Sequence, residues 1–313
     1  MGRVSACSRK ALVLKALIIG YGSIGNRHAK ILSKLNNISE VSILSSQKNL
    51  PYNTINSIND ISLLSPDYIV IASSTSLHYK QLKFLENNFG GKKILVEKPL
   101  FHKYKKLDIN NNSVYIGFNM RYHPIIKKIK EICNNRKLWS IYAFACSYLP
   151  DWRPAQNYQK TASAKQANGG GVLLDLSHEF DYIEWIAGKI DPKHIYNEKI
   201  SDLEIDTDDF LMLNGETVNG ARLHIGLNYF TRRPIRRITI DGEGVSIQAD
   251  LIKNKMNLIL DEKNNNYSWP DMERNYTYVA QHKALINNDF SDICTYSEGL
   301  NTMKLIDNIR SNS

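Results

Sequence analysis

The stretch IIGYGSIG, residues 18–25, decides the fold: an apolar run ends at a glycine-rich turn, and helical spacing resumes beyond it. Gly20, Gly22 and Gly25 form GxGxxG between a predicted strand, ALIIG at 16–20, and a predicted helix. In that context the first glycine makes the tight turn and the second lets the main chain approach a pyrophosphate. The third lets helix and strand pack closely. The helix N-terminus then faces the phosphates, with Tyr21, Ser23 and Ile24 filling the turn between the glycines.

The pattern around this turn is that of a parallel sheet. The helix that follows carries Ile24, Ile31, Leu32 and Leu35 on one face. Strand-like segments at 41–45, 67–73, 93–97 and 112–118 alternate with helices predicted near 57–64 and 77–88. Beyond about residue 121 the alternation stops. A helix near 123–134, a long strand at 138–149, an irregular polar stretch and an apolar helix at 172–187 precede consecutive strands from about 194 to 261. Turns at Asn219-Gly220 and at DGEG, 241–244, separate strands in that run. Helices at roughly 271–287 and 296–311 follow. The expected fold class is α/β: a Rossmann dinucleotide-binding domain over 1–121, then an α+β substrate domain over 122–313 with an open, mainly antiparallel sheet.

Length and composition agree with two soluble domains, at 313 residues, 42% apolar and 23% charged. The four cysteines, at 7, 133, 146 and 294, show no CxxC pair and no metal-ligand spacing, so they read as isolated thiols in a reducing compartment, and no metal is implied. The opening MGRVSACSRKALVLKALIIG has the basic-then-apolar order of a signal peptide, but Lys15 interrupts it, and the run serves better as the first strand. No stretch reaches the ~18 apolar residues of a membrane span, and Ala6 spoils a myristoylation signal at Gly2. A cytoplasmic location is expected. The net charge of +9 is dispersed along helices such as IIKKIKEI, 125–132, which reads as a solvated face, and no nucleic-acid motif is present.

Three further segments carry chemistry. An acid about 20 residues after the glycine turn would hold the 2′-hydroxyl of NAD. Leu44 to Lys48 instead reads Leu-Ser-Ser-Gln-Lys. Ser45 and Ser46, with Lys48 nearby, suit a 2′-phosphate, so NADP is favoured over NAD. Glu97-Lys98-Pro99 ends a strand on the side where open α/β sheets bind ligands, and an ammonium there can polarise an oxygen and shuttle a proton. Asp175 and His178 lie three apart in the apolar helix, on one face, after Gly169 to Gly171, which allow close backbone approach. His178 has two readings, a general acid-base or a buried core histidine, for which Asp181 is a candidate partner.

These pieces coincide with a family pattern. The chain resembles the Gfo/Idh/MocA family of NAD(P)-dependent oxidoreductases through GYGSIGNRHAKIL at 20–32, SPDYIVIASSTSLHYK at 65–80, VEKPL at 96–100 and GFNMRYHP at 117–124. GGGVLLDLSHEFDYIEWIAG at 169–188, RRITIDGEGVSI at 236–247 and SEGLNTMKLID at 297–307 continue the match. The resemblance implies an open-faced second domain whose sheet serves as an oligomer interface, giving a homodimer or homotetramer. It implies that Lys98, Asp175 and His178 match the family's catalytic lysine, acid and histidine, although the usual DxxxH spacing is one residue shorter here. It also implies that Ser73, Ser74, Thr75, His78 and Glu97 border the cofactor and that Arg121 borders the substrate. The run at 148–171 looks like a branch met in surface-polysaccharide and nucleotide-sugar pathways. Trp152, Arg153 and Tyr158 in it suit a sugar ring, a phosphate and a hydroxyl, or else an ordered loop packed under the sheet. Arg232, Arg233, Arg236 and Arg237 read as scaffold.

The resulting expectation is hydride transfer between nicotinamide and a carbinol or ketone carbon of a sugar-type small molecule, with no nucleic-acid or membrane partner. A non-catalytic NAD(P)-binding regulator or scaffold of the same fold is the alternative from another class, and a reductase of a non-sugar ring is a second enzymatic one.

Overall fold

The computed structural model describes residues 13–312, so the start of the leader-like run, with Gly2, Ala6 and Cys7, lies outside the described residues. Among the described residues no helix is long and apolar enough to cross a membrane.

The first sheet grows outward from the glycine turn. Its strands are β1 (Leu14–Ile19), β2 (Ile38–Leu44), β3 (Asn53–Ile55), β4 (Tyr68–Ile71), β5 (Lys93–Val96) and β6 (Ser113–Ile116), and the helices α1 (Ser23–Leu32), α2 (Ile61–Leu64) and α3 (Thr75–Asn88) connect them. All six strands run parallel in the order β3-β2-β1-β4-β5-β6. The strand order reverses beside β1, where open α/β sheets bind ligands at the carboxyl ends of their strands. Leu17, Ile18, Ile69, Val70, Ile71, Ile94 and Leu95 are fully buried, as strands covered on both faces require.

The helix α4 (Pro124–Cys133) then leads into β7 (Leu138–Tyr148). A loop of short 3₁₀ turns follows, and after it α5 (Val172–Asp175) and α6 (His178–Ala187). The strands β8 (Ile190–Glu198), β9 (Phe210–Thr217), β10 (Arg222–Asn228), β11 (Phe230–Gly242), β12 (Val245–Asp250), β13 (Lys255–Leu260) and β14 (Lys263–Ser268) complete an eight-stranded sheet, antiparallel except where β10 meets β7. Ile141, Ala143, Ala145, Leu223, Ile225 and Leu227 point into the core under the helices, and Tyr142 faces outward. The chain then returns to the first sheet. The helix α7 (Tyr276–Ile286) packs against α1, β15 (Cys294–Thr295) pairs antiparallel with β6, and α8 (Tyr296–Ser311) follows with a Thr295/Glu298 capping box.

The expected helix at 172–187 is in fact two. Leu176, at φ −101° and ψ 29°, ends α5, and Ser177 donates its hydroxyl to the Leu174 carbonyl at 2.9 Å before α6 begins. A hydroxyl bonded to a carbonyl three residues back competes with the helical ladder, which is why the apolar periodicity runs through a break.

Candidate active site

The glycine turn has the geometry that its residues demand. Gly20 sits at φ +97°, and a Cβ there would lie 2.6 Å from Ser73 Cα. A Cβ on Gly25 would lie 2.1 Å from the Gly20 carbonyl oxygen. Gly22 is different: nothing lies within 4 Å of where its Cβ would be, and it forms the N-cap of α1 without a side-chain partner. Gly22 and Ser23 are exposed. Open space in front of unclaimed helix N–H groups is what a pyrophosphate needs, so the residues present fit a dinucleotide. Tyr21 donates to Asn26 Oδ1 at 3.3 Å, and Ile24 packs on the core beneath.

At the end of β2, Ser45 Oγ accepts the Gln47 amide at 3.1 Å, while the Gln47 side chain donates to the Tyr21 carbonyl at 3.1 Å. Ser46 and Lys48 are exposed beside them. Beyond β4, Ser73 bonds Gln81 Oε1 at 2.7 Å, and Ser74 and Thr75 open α3 with no side-chain cap. His78 is buried with its two ring nitrogens 3.2 Å from the carbonyl oxygens of Ser73, Pro99 and Leu100, and burial pushes its pKa down. It is therefore packed between the loop after β4 and the loop after β5, and its one N–H donates to a carbonyl of one of them.

After β5, Glu97 is 6% exposed; its Oε2 accepts the Lys98 amide at 3.1 Å. The Lys98-Pro99 peptide is cis. The half-buried Lys98 ammonium donates to the main-chain carbonyl of Asp175 at 2.7 Å. The Asp175 carboxylate takes the hydroxyl of the fully buried Tyr229 at 2.6 Å. His178 stands one residue beyond the helix break, edge-on to Phe118 at 5.7 Å between ring centroids. Its Nδ1 is buried without a hydrogen-bond partner among the described residues. Burial, and then the charges of Lys98 and Arg236, drive its pKa well below 6.5. Lys98, Asp175 and His178 are thus brought together, but the helix break keeps the two side chains from sharing a helical face. Asp181 is no partner of His178.

Arg121 corrects an expectation. It is 2% exposed, and its guanidinium is spent on Asp181 at 2.7 Å, on Glu298 at 3.1 Å and on the Ile293 carbonyl at 3.4 Å. Buried and held by these partners, Arg121 joins α6 to α8 rather than bordering the site. Trp152 lies beside the site: its ring meets Tyr229 edge-on at 5.3 Å between centroids and its Nε1 donates to Ser147 at 2.8 Å. Arg153 is exposed next to it. The Tyr158 hydroxyl accepts the Glu204 amide at 3.2 Å, which ties it to the loop before β9. A cavity of about 550 Å³ lies near these elements, lined by His102, Gly169, Gly170, Asp208 and Arg310 among others but by neither Lys98 nor His178.

Sequence reasoning missed Tyr229, which is 54 residues from Asp175 and meets it only through the second sheet. It also missed His28 and His282, whose rings form a buried hydrogen-bonded pair at 2.8 Å behind Glu97. The glycine-turn helix carries His28, so a histidine three residues past the last glycine was the one available signal.

Two family models match in order. Residues 14–110 match the oxidoreductase family with NAD-binding Rossmann fold, and residues 126–248 match the GFO/IDH/MocA C-terminal domain. The uncharacterized oxidoreductase YrbE of Bacillus subtilis is 26% identical over 190 residues, which cover 55% of this chain and 53% of that protein, so the match spans about half its length. Among solved structures, UDP-N-acetylglucosamine 3-dehydrogenase GnnA from Acidithiobacillus ferrooxidans superposes with a TM-score of 0.76 at 16% identity, over 96% of this chain and 97% of that one. Levoglucosan dehydrogenase in complex with NADH and levoglucosan gives a TM-score of 0.79 at 16% identity, over 96% of each chain. At such identities the superpositions speak for the fold. With a cofactor cradle in the first sheet, a lysine and a histidine meeting at its edge, and both halves matched by models of one family, the chain belongs to the Gfo/Idh/MocA oxidoreductases, carrying that family's NAD-binding Rossmann fold ahead of its C-terminal domain.

Proposed function

We propose that the protein is a dehydrogenase acting on a carbinol or ketone carbon of a sugar or nucleotide-sugar derivative, in the branch that serves surface-polysaccharide synthesis. The observation that carries this reading is the Lys98 ammonium at the carboxyl edge of the parallel sheet, held on the Asp175 carbonyl and near enough for its charge to lower the pKa of His178, whose buried Nδ1 has no partner among the described residues. A bound nicotinamide supplies the two-electron hydride acceptor or donor. In the oxidising direction Lys98 hydrogen-bonds the reacting oxygen and His178, held neutral by burial, takes its proton; in reduction His178 returns it. Asp175 orients Lys98 through its main-chain carbonyl and Tyr229 through its carboxylate. The glycine turn holds the pyrophosphate, Ser73, Ser74, Thr75, His78 and Glu97 wall the nicotinamide side, and Trp152, Arg153 and Tyr158 belong to the substrate side. Ser45, Ser46 and Lys48, with no carboxylate among residues 44–48, favour NADP. Two solved neighbours, one named for a UDP-sugar and one for levoglucosan, support a sugar-type substrate.

The working division is a cofactor unit to residue 121 and a substrate unit from 122, with β15 returning to the first sheet. The second sheet's outer face, with Tyr142 at 46% exposure and Tyr196 at 52%, is the proposed contact of a homo-oligomer. The buried free thiols of Cys133, Cys146 and Cys294 suit the cytoplasm.

Titration with NADPH and NADH, followed by nicotinamide fluorescence, tests the cofactor arm. Tighter NADPH binding supports the whole reading, and tighter NADH binding removes the NADP preference alone. Binding of neither removes the redox reading in favour of a scaffold, the alternative suggested by the shortened Asp175-His178 spacing. UDP-N-acetylglucosamine and free sugars assayed side by side then separate nucleotide-sugar from simple-sugar chemistry.

A further inference from the structure

Four buried titratable groups form one hydrogen-bonded file behind the Lys98 turn. The Tyr68 hydroxyl meets His282 Nδ1 at 2.8 Å, His282 Nε2 meets His28 Nδ1 at 2.8 Å, and His28 Nε2 meets Glu97 Oε1 at 2.8 Å. Tyr68, His28 and His282 are each 0% exposed. They come from β4, α1 and α7, so the file crosses the domain from the inner sheet and the returning C-terminal helix to the end of β5.

The partners settle where the protons sit. Glu97 Oε2 already accepts the Lys98 amide, so its carboxylate is the natural end of the file. His28 then donates from Nε2 to Glu97 and accepts at Nδ1. His282 donates from Nε2 to His28 and accepts at Nδ1 from the Tyr68 hydroxyl. In this direction every donor finds one acceptor and only Glu97 is charged. The opposite direction would leave the Tyr68 hydrogen without an acceptor in the file, at the cost of a buried unsatisfied donor. Burial acts in the same sense, pushing Tyr68 well above 10.0 and His282 well below 6.5.

We propose that Tyr68, His282 and His28 are positioning residues: they fix the Glu97 carboxylate against the Lys98 amide and so hold the Lys98 turn in the place where it meets nicotinamide and Asp175. Gly117 completes the fit, since a Cβ there would lie 3.1 Å from both Glu97 Cα and Oε1. The inference rests on the dehydrogenase reading above.

Imidazole ¹⁵N NMR at pH 7 together with NADH titration by fluorescence tests it. In the wild type, both His28 and His282 should be neutral Nε2–H tautomers; an Nδ1–H tautomer or an imidazolium at either ring overturns the proposal. H28L, which removes the donor to Glu97, should weaken NADH about tenfold, the equivalent of one hydrogen bond to a charged group. H28Q, which keeps an N–H for Oε1, should stay within about twofold, well under one such bond. Equal NADH affinity in H28L and wild type overturns the proposal. Should H28L not fold, Y68F decides, because it should shift the His282 ring resonances and weaken NADH, and unchanged resonances overturn the file. A wild type that binds neither NADH nor NADPH sinks the dehydrogenase reading instead. Wild-type binding with insensitive variants sinks the file alone.

Discussion

The Lys98 ammonium bonds the main-chain carbonyl of Asp175 at 2.7 Å and not its carboxylate, which is engaged by Tyr229 at 2.6 Å. A main-chain acceptor survives every substitution at position 175, and an asparagine keeps an oxygen for Tyr229. Asp175→Asn should therefore lose less than about tenfold in turnover, the effect of one weakened hydrogen bond. Lys98→Ala should lose roughly two to four powers of ten, as removal of a group in direct acid-base contact does. Steady-state rates of the two variants check the ordering; a Lys98→Ala protein with wild-type turnover would end the assignment.

The three glycines of the turn should separate binding from stability. Gly25→Ala drives a Cβ to 2.1 Å from the Gly20 carbonyl oxygen, and overpacking of this kind costs about 1–3 kcal/mol. Gly22→Val projects into empty space, so its folding cost should be no more than about 1 kcal/mol for an unfavourable N-cap, while the branched side chain occupies the phosphate position. Urea unfolding and NADH titration on both variants should show Gly25→Ala mainly unstable and Gly22→Val mainly unable to bind.

The position of His178 predicts an unusual pH profile. Burial and the cations Lys98 and Arg236 place its pKa well below 6.5, so the neutral imidazole persists where an ordinary histidine would protonate. If His178 is the base of the proposed oxidation, the rate of that oxidation should stay flat as pH falls through 6.5 and decline only further into acid. A kcat/KM profile that halves near 6.5 would contradict this placement.

How far the residues announced this architecture depends on whether the signal was local. The glycine turn was fully legible, because Gly20 and Gly25 answer to steric demands within a few residues or from the neighbouring β4 loop, and Gly22 leaves open the space in front of the helix N-terminus. The α8 boundaries were legible too, through amphipathic spacing alone. The two-residue β15 was not, because a strand that short has no periodicity and exists only by pairing with β6. Arg121 was misread for a related reason: a lone arginine in a loop looks available until Asp181 and Glu298 arrive from elements 60 and 177 residues away. The helix break at 176–177 was hidden because apolar spacing continues through it, and Tyr229 was hidden because its partner lies across the sheet.

Arg121 and Asp181 should behave as a structural pair. Both are nearly inaccessible, and three guanidinium contacts of 2.7 to 3.1 Å join them. Removing one partner leaves a buried charge, which costs about 3–5 kcal/mol. Arg121→Met should therefore lower the unfolding free energy by that order while leaving the KM for a sugar substrate within about twofold, a small fraction of 1.4 kcal/mol. A large KM effect with little change in stability would restore Arg121 to the substrate site.

Glu184 gives the chain a pH-dependent liability that can be removed. Burial, reinforced by the charge of Asp181, raises its pKa from 4.5 to about 7, against the pull of the Ile190 amide and the Thr302 hydroxyl. Below 4.5 the carboxyl is protonated in both folded and unfolded chains and makes no difference. Between 4.5 and 7 the unfolded chain releases the proton that the folded chain keeps, so this group's contribution to stability falls as pH rises. Above 7 the full cost of a buried carboxylate is present. Glu184→Gln keeps an oxygen for the Ile190 amide, now 3.3 Å away, and offers Thr302 an N–H in place of the second oxygen at 3.4 Å. The thermal midpoint of the variant should match the wild type near pH 5 and exceed it at pH 8. An equal difference at both values would mean that Glu184 titrates normally and that its setting between α6 and α8 is more open to water than its contacts indicate.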